Sequence, residues 1–285
     1  MILFKKITDL HNWVDNQQVG IKKVGFIPTM GALHAGHISL IKASKKENKI
    51  TISSIFINPV QFNDSKDFDK YPVTLEKDIL LLEEAECDIL FLPSVKEIYP
   101  HGIIIKKQYD LGYIETVLEG KFRPGHFQGV CMVVHRLLEI VLPDRLYLGQ
   151  KDYQQCIVII KLIELIGMKE KIEVIISPTL REANGLAMSS RNMRLSYEEK
   201  EKATVIFKSL SMITKNFGKE NPIVLKQQAQ LMLVKAGLQP DYIEIVDATD
   251  LSIVQEWKEN KKMVALAAAF INNVRLIDNI VINAQ

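Results

Sequence analysis

Val24-Gly-Phe-Ile-Pro-Thr-Met-Gly-Ala-Leu-His-Ala-Gly-His-Ile-Ser-Leu40 is the stretch from which the rest of the chain is read. Its first four residues are rich in apolar side chains and read as a buried strand. Pro28 and Thr29 lead into a short loop with glycines at 31 and 36 and histidines at 34 and 37. From Ile38 to Lys49 apolar residues recur at helical spacing. Strand, glycine-bearing turn and helix in direct succession is how an α/β sheet builds an anion site. A helix start offers unpaired N–H groups and the positive end of its dipole. A glycine lets a phosphate approach the backbone closely, and two imidazoles three residues apart can flank the same anion. Without that setting, His-x-Gly-His is a short string that also suits a surface loop. Two histidines lacking Cys or carboxylate neighbours make a poor zinc set.

Working outward, residues 7–18 read as a helix stopped by Gly20, and residues 51–57 as a second strand. A long polar loop, 58–72, leaves that strand at its C-terminal end, where ligand sites of α/β sheets lie. Thr74 can cap a helix over 75–86; residues 88–92 read as a third strand and 103–106 as a fourth. Residues 119–129, Glu-Gly-Lys-Phe-Arg-Pro-Gly-His-Phe-Gln-Gly, form a second glycine-rich basic turn before an apolar helical run, 130–141. A strand over 145–148 runs into Gly149-Gln-Lys-Asp152 and a helix over 153–166, with Lys151 placed to meet a phosphate and Asp152 to cap. Residues 172–176 close the alternation. The pattern over 1–178 predicts a doubly wound, mostly parallel, Rossmann-like sheet whose polar turns gather at one edge.

The pattern changes at Pro178. Residues 178–185 are turn-rich, and 186–192, Leu-Ala-Met-Ser-Ser-Arg-Asn, put two hydroxyls beside an arginine. Ser196 and Glu199 form a capping box for a helix over 197–216. A second helix, 224–236, ends at Gly237, and 241–246, 263–270 and 274–281 read as strands, the last two joined at Asn272-Asn273. The expected organisation is an α/β domain over 1–178 and a smaller α+β lid domain over 179–285.

Composition narrows the function. The 285 residues carry 36 basic and 34 acidic side chains, a net charge of +2, and 47% hydrophobic residues. These are values of a soluble globular chain without a nucleic-acid-binding surface. Cys87, Cys131 and Cys156 show no CxxC spacing, which fits a reducing compartment and core positions. The first residues lack the order of a signal peptide. The apolar run 263–271 is far too short to span a bilayer. A cytoplasmic protein without membrane or nucleic-acid partners is expected.

A His-x-Gly-His turn on a nucleotide-type sheet, with a hydroxyl/arginine loop further on, points to chemistry at the α-phosphate of a nucleoside triphosphate. Such a reaction gains most from in-line positioning and neutralisation of developing charge. His34, His37, Lys151, Ser189, Ser190, Arg191 and Arg123 are suitable donors. Mg²⁺ normally shares this task through one or two carboxylates and the phosphates, and Asp152 and Asp78 are candidate ligands. The Gly-x-x-x-x-Gly-Lys-[Ser/Thr] loop of γ-phosphate transfer is absent.

Five blocks carry a resemblance, in order: Pro28-Thr-Met-Gly-Ala-Leu-His-Ala-Gly-His37, Phe56-Ile-Asn-Pro-Val-Gln-Phe62, residues 119–129, Gly149-Gln-Lys-Asp-Tyr-Gln-Gln155 and Gly185-Leu-Ala-Met-Ser-Ser-Arg-Asn192. Together they resemble the pantoate–β-alanine ligase (pantothenate synthetase) family. The resemblance implies a cytoplasmic, homodimeric enzyme using ATP and Mg²⁺. Pantoate is adenylated with release of pyrophosphate, and β-alanine then displaces AMP. By motif, it implies ATP contacts from Met30, Gly31, Ala32, Leu33, His34, Ala35, Gly36 and His37. Further ATP contacts follow from Gly149, Gln150, Lys151, Asp152, Leu180, Met188, Ser189, Ser190 and Arg191. His37 is the candidate acid; Gln61 and Gln155 hold pantoate, with Asn58 and Arg123 near the substrates. Ala35 stands where the family often has Glu. Lys77 precedes Asp78 where relatives can carry paired acids, which leaves Asp78 as the one metal candidate at that place.

The amide side chains suit a polyol acid, since they serve hydroxyls as donor or acceptor. An acyl adenylate needs a water-excluded pocket, for which the loop 189–191 is a natural lid. A cytidylyltransferase-type nucleotidyltransferase is the alternative that the His-x-Gly-His turn also permits. A catalytically silent nucleotide- or tRNA-binding module is a second.

Overall fold

Six short strands pair in parallel, the inner ones apolar runs of the kind that a sheet covered on both faces requires. They are β1 (Ile2–Phe4), β2 (Val24–Thr29), β3 (Ile50–Ile55), β4 (Ile89–Phe91), β5 (Arg145–Gly149) and β6 (Glu173–Ser177). The computed structural model describes residues 1–16, 23–62, 65–103, 108–257 and 260–282. The strand order is β1-β4-β3-β2-β5-β6, with every pairing parallel. From β2 the chain winds one way through β3 to β4, then returns to the other side for β5 and β6. The order therefore reverses between β2 and β5, the kind of position at which open α/β sheets bind ligands, beyond the C-terminal ends of the strands. Phe26, Ile27, Ile52, Ile89 and Leu146 are fully buried. Ile27, Leu33, Ile41, Leu82, Leu90 and Tyr147 form one continuous core cluster.

The α/β alternation of the sequence is the observed one, with differences at the edges. β1 escapes a sequence reading because it is three residues long, largely exposed and paired with β4 alone. The first helix is Ile7–Asn16; residues 17–18 and the stop at Gly20 lie outside the described residues, as does all but Ile103 of the strand expected over 103–106. The loop after β3 is not structureless: Asn58 caps a single 3₁₀ turn, Pro59–Gln61, and a short helix follows at Ser65–Asp69.

Cα packing divides the chain into two units. The first comprises residues 1–112, 123–149 and 158–177, and the second residues 113–122, 150–157 and 178–285. The second unit is built on an antiparallel sheet, β7 (Gln239–Asp247), β8 (Met263–Ile271) and β9 (Val274–Ile282), in the order β7-β8-β9. Helices Tyr197–Lys215 and Pro222–Lys235 bury Leu210, Ile213, Leu225, Ala229 and Leu233 in a core with Ile245, Ala265 and Ala267. The capping box forms as read: Glu199 N–H donates to Ser196 Oγ at 3.2 Å and Ser196 N–H to Glu199 Oε2 at 2.7 Å. Residues 113–122 are tied to the sheet by Arg275, whose guanidinium donates to both Glu119 oxygens at 2.7 and 2.8 Å. Tyr242 Oη donates to Glu119 at 2.9 Å. No described helix is long and apolar enough to cross a membrane.

Candidate functional site

The turn after β2 is held from within. Thr29 Oγ1 donates to Ser54 O at 2.7 Å and accepts Gly31 N–H at 3.2 Å. Gly31 and Ala32 both have positive φ, 80° and 50°. That conformation is free for glycine but costs an alanine about 1–2 kcal/mol. Two such residues aim consecutive N–H groups at one point, a nest for an anion. The anion is Asp78: its carboxylate accepts Ala32 N–H and Leu33 N–H, each at 2.8 Å, and the Thr74 hydroxyl at 2.9 Å. Asp78 is 1% exposed.

The two histidines complete the turn. The helix begins at Ala35, three residues before the apolar run that announced it, because His34 caps it. His34 Nδ1 accepts Gly36 N–H at 3.1 Å, and His37 Nδ1 accepts His34 N–H at 3.3 Å. This is a capping box built from imidazoles. The rings lie 4.0 Å apart between centroids. A neutral ring that accepts at Nδ1 carries its hydrogen on Nε2. In both histidines the ring hydrogen therefore sits on Nε2. The backbone N–H groups of Gly31, Ala32, Leu33, His34, Gly36 and His37 all have protein acceptors. Sequence logic looked to open amides at this helix start; the structure puts the donors on the side chains.

A second polar group lies after β3. Asn58 is 1% exposed and fully saturated. Its Oδ1 accepts Tyr99 Oη–H at 2.9 Å and Val60 N–H at 3.4 Å. Its Nδ2 donates to Gly129 O at 3.1 Å and Gln61 Oε1 at 3.2 Å. Asn58 thus stands behind Gln61 and has no hydrogen-bonding position left for a substrate. Arg123 reaches the same turn indirectly. Its Nη1 meets His126 Nε2 at 3.1 Å, and His126 Nδ1 meets Gln61 O at 2.8 Å. A guanidinium only donates, so this bond needs His126 in the tautomer that accepts at Nε2 and donates from Nδ1.

In the second unit, Gln150–Asp152 form a 3₁₀ turn. Asn279 in β9 pins it, donating to Gln150 O and Lys151 O at 2.8 and 2.9 Å and accepting from Gln150 Nε2 at 3.1 Å. Lys151 Nζ lies 3.4 Å from Asp152 Oδ1. Leu180 and Met188 face each other across a short hairpin closed by Met188 N–H to Leu180 O at 3.0 Å. Arg181 anchors that hairpin. It donates to Asp278 at 2.6 and 3.0 Å and to Gly185 O at 3.1 Å, and lies over the Phe207 ring at 4.1 Å. Burial pushes the Asp278 carboxyl upward, against the pull of Arg181. Ser189 caps the 3₁₀ turn Ser190–Arg194, with Arg191 N–H donating to its Oγ at 3.3 Å. Lys151 and Ser189 line one small pocket together with Asn192 and Asp278.

The glutamine pair 154–155 splits in role. Gln154 is buried and bonded to Glu119 N–H, Ile114 O and Val117 O. Gln155, one step round the helix, is half-buried. Asp278, Asn279 and Arg181 were missed by sequence reasoning; their one signal is an Asp-Asn pair interrupting the apolar alternation of β9. The cysteines are core residues: burial raises the Cys87 thiol to about 12 and Cys156 higher still. Among the described residues no three His, Cys, Asp or Glu side chains converge as a metal site. Asp78, the expected magnesium ligand, uses both oxygens on the turn, accepting from Ala32, Leu33 and Thr74.

The model of the Pantoate-beta-alanine ligase family matches residues 2–281. A pantothenate synthetase from Cytophaga hutchinsonii is 44% identical over 285 residues, covering 99% of each chain. The crystal structure of pantothenate synthetase from Thermus thermophilus superposes with a TM-score of 0.89 at 36% identity, covering 98% of this chain and 99% of that one. Pantoate-beta-alanine ligase from Francisella tularensis, complexed with beta-gamma ATP and beta-alanine, gives a TM-score of 0.82 at 39% identity, with 99% and 97% coverage.

Proposed function

This chain belongs to the pantoate–β-alanine ligase family, and from that membership we propose how its own residues carry the ATP-dependent condensation of pantoate with β-alanine. In the first half-reaction a pantoate carboxylate oxygen attacks the α-phosphorus of ATP. The Pα–O bond to the β-phosphate breaks, giving pantoyl adenylate and pyrophosphate. In the second, the β-alanine amine attacks the acyl carbon; the bond to AMP breaks, the amine loses a proton, and pantothenate leaves.

The feature that supports this assignment best is the pair of Nε2–H groups at the end of β2. His34 and His37 spend their Nδ1 atoms on the backbone, so each brings a fixed donor to a phosphate oxygen. Donors held before the reaction stabilise developing charge without reorganising. Lys151, Ser189, Ser190 and Arg191 are the further donors and positive charges of this reading. His37 is the proposed acid for the departing pyrophosphate. Gln61 and Gln155 take pantoate, Arg123 steadies the Gln61 turn, and Gly149, Gln150, Asp152, Leu180 and Met188 border the nucleotide. Mg²⁺ accompanies ATP on the phosphate oxygens themselves. The protein acts in the cytoplasm as a homodimer, and the functional division is placed between 1–178 and 179–285, although Cα packing also groups residues 113–122 and 150–157 with the second unit.

The test is incubation with ATP, Mg²⁺, pantoate and β-alanine, scored for AMP and amide. Pyrophosphate exchange into ATP is expected to need pantoate but not β-alanine. Exchange that needs both, or a nucleotide-linked product in place of free AMP, overturns the two-step reading.

A further inference from the structure

We propose that Tyr99 is a positioning residue for the pantoate site: acting through Asn58, it locks the Gln61 amide with its carbonyl turned inward, so that Gln61 meets substrate only as a hydrogen-bond donor. This rests on the assignment of Gln61 to pantoate and sharpens it.

The polarity follows from two backbone groups whose roles cannot be exchanged. Val60 N–H can only donate, so the Asn58 atom facing it is the oxygen. Gly129 C=O can only accept, so the Asn58 atom facing it is the nitrogen. With both ends assigned, the second Asn58 Nδ2 hydrogen points at Gln61 from 3.2 Å, and only Oε1 can receive it. The Gln61 Nε2 hydrogens are left on the opposite side, where no protein acceptor meets them among the described residues. Tyr99 Oη fills the remaining lone pair of Asn58 Oδ1 at 2.9 Å. Asn58 is 1% exposed, so bulk solvent does not compete for that place.

The surroundings hold Tyr99 to this task. Its ring packs edge-on against Phe56 at 6.1 Å, and burial raises its hydroxyl above the ordinary tyrosine range, which keeps the proton it donates. Gly129 lets its helix approach closely: a Cβ there would lie 2.6 Å from Val60 O and 2.8 Å from Gln61 Cα. A donor-only amide serves hydroxyl and carboxylate oxygens and offers nothing to an ammonium group. It therefore favours the hydroxy acid over the amine end of the second substrate.

Tyr99→Phe removes the hydroxyl and keeps the ring. KM for pantoate is expected to rise about tenfold, the scale of one lost hydrogen bond, with KM for ATP unchanged and the thermal midpoint nearly so. Gln61→Glu is a second arm that leaves Tyr99 and Asn58 intact. Its carboxylate still accepts from Asn58 but faces substrate as an acceptor, so pantoate KM is expected to rise about 100-fold near pH 8. It should recover at lower pH, where a protonated carboxyl donates again; Gln61→Met should show no such recovery. An unaltered pantoate KM in Tyr99→Phe, an equal rise in KM for ATP, or a Gln61→Glu profile that parallels Gln61→Met overturns the proposal alone. A parent protein that forms no pantoate-dependent AMP overturns the functional reading and this proposal together.

Discussion

At the residue scale, the imidazole pair separates structure from chemistry atom by atom. Each ring uses Nδ1 to cap the helix Ala35–Glu47, which puts its hydrogen on Nε2. Replacing His37 with Ala removes both functions. The lost cap costs about 0.5–2 kcal/mol of stability. The lost donor lowers kcat about 100-fold or more, the scale of one electrostatic contact to the transition state. Steady-state turnover against a thermal melt measures the two separately; a kcat close to the parent's removes His37 from the chemistry. The histidines themselves were legible in the sequence, as were the paired glycines. Their tautomers were not, since a tautomer depends on which backbone N–H each ring meets.

At the element scale, the turn between β2 and its helix is built by a residue of a different helix, Leu75–Glu84. Asp78 stands in its nest as the anion, so the Ala32 and Leu33 amides that seemed ready for phosphate are already used. Asp78→Asn keeps the shape but has one acceptor oxygen where two are needed. One buried N–H is left unpaired, at a cost of about 1–3 kcal/mol. A lowered denaturation midpoint and weaker ATP binding are expected together, with Thr74→Ala milder in both. Weaker Mg²⁺ dependence with an unchanged midpoint would instead make Asp78 a metal ligand. The elements β2 to β6 were legible because buried parallel strands are continuous apolar runs bounded by turns. β1 was not, because a three-residue edge strand is recognised by its partner β4 and not by any pattern of its own.

At the scale of the whole molecule, each unit has its own core and its own tryptophan. Trp13 packs near Phe4 in the first unit, and Trp257 against Phe217 in the second. Arg275 pairs with buried Glu119 within the second unit. Arg275→Met leaves that buried carboxylate without its cationic partner, which costs about 3–5 kcal/mol. In single-tryptophan variants, the unfolding midpoint read by Trp257 is expected to fall more than that read by Trp13; equal falls would make the two units one cooperative system. By itself the sequence determined the α/β alternation, the smaller antiparallel domain, the His-x-Gly-His turn and the family, because periodicity and motif spacing are written locally. Tertiary structure decided which polar groups are left for a ligand. The partners that saturate them come from far along the chain: Asp78 lies 46 residues from Ala32, Gly129 lies 71 from Asn58, and Asn279 lies 129 from Gln150. A hydrogen-bonding group is spent or available according to what the fold brings against it, and no local pattern carries that information.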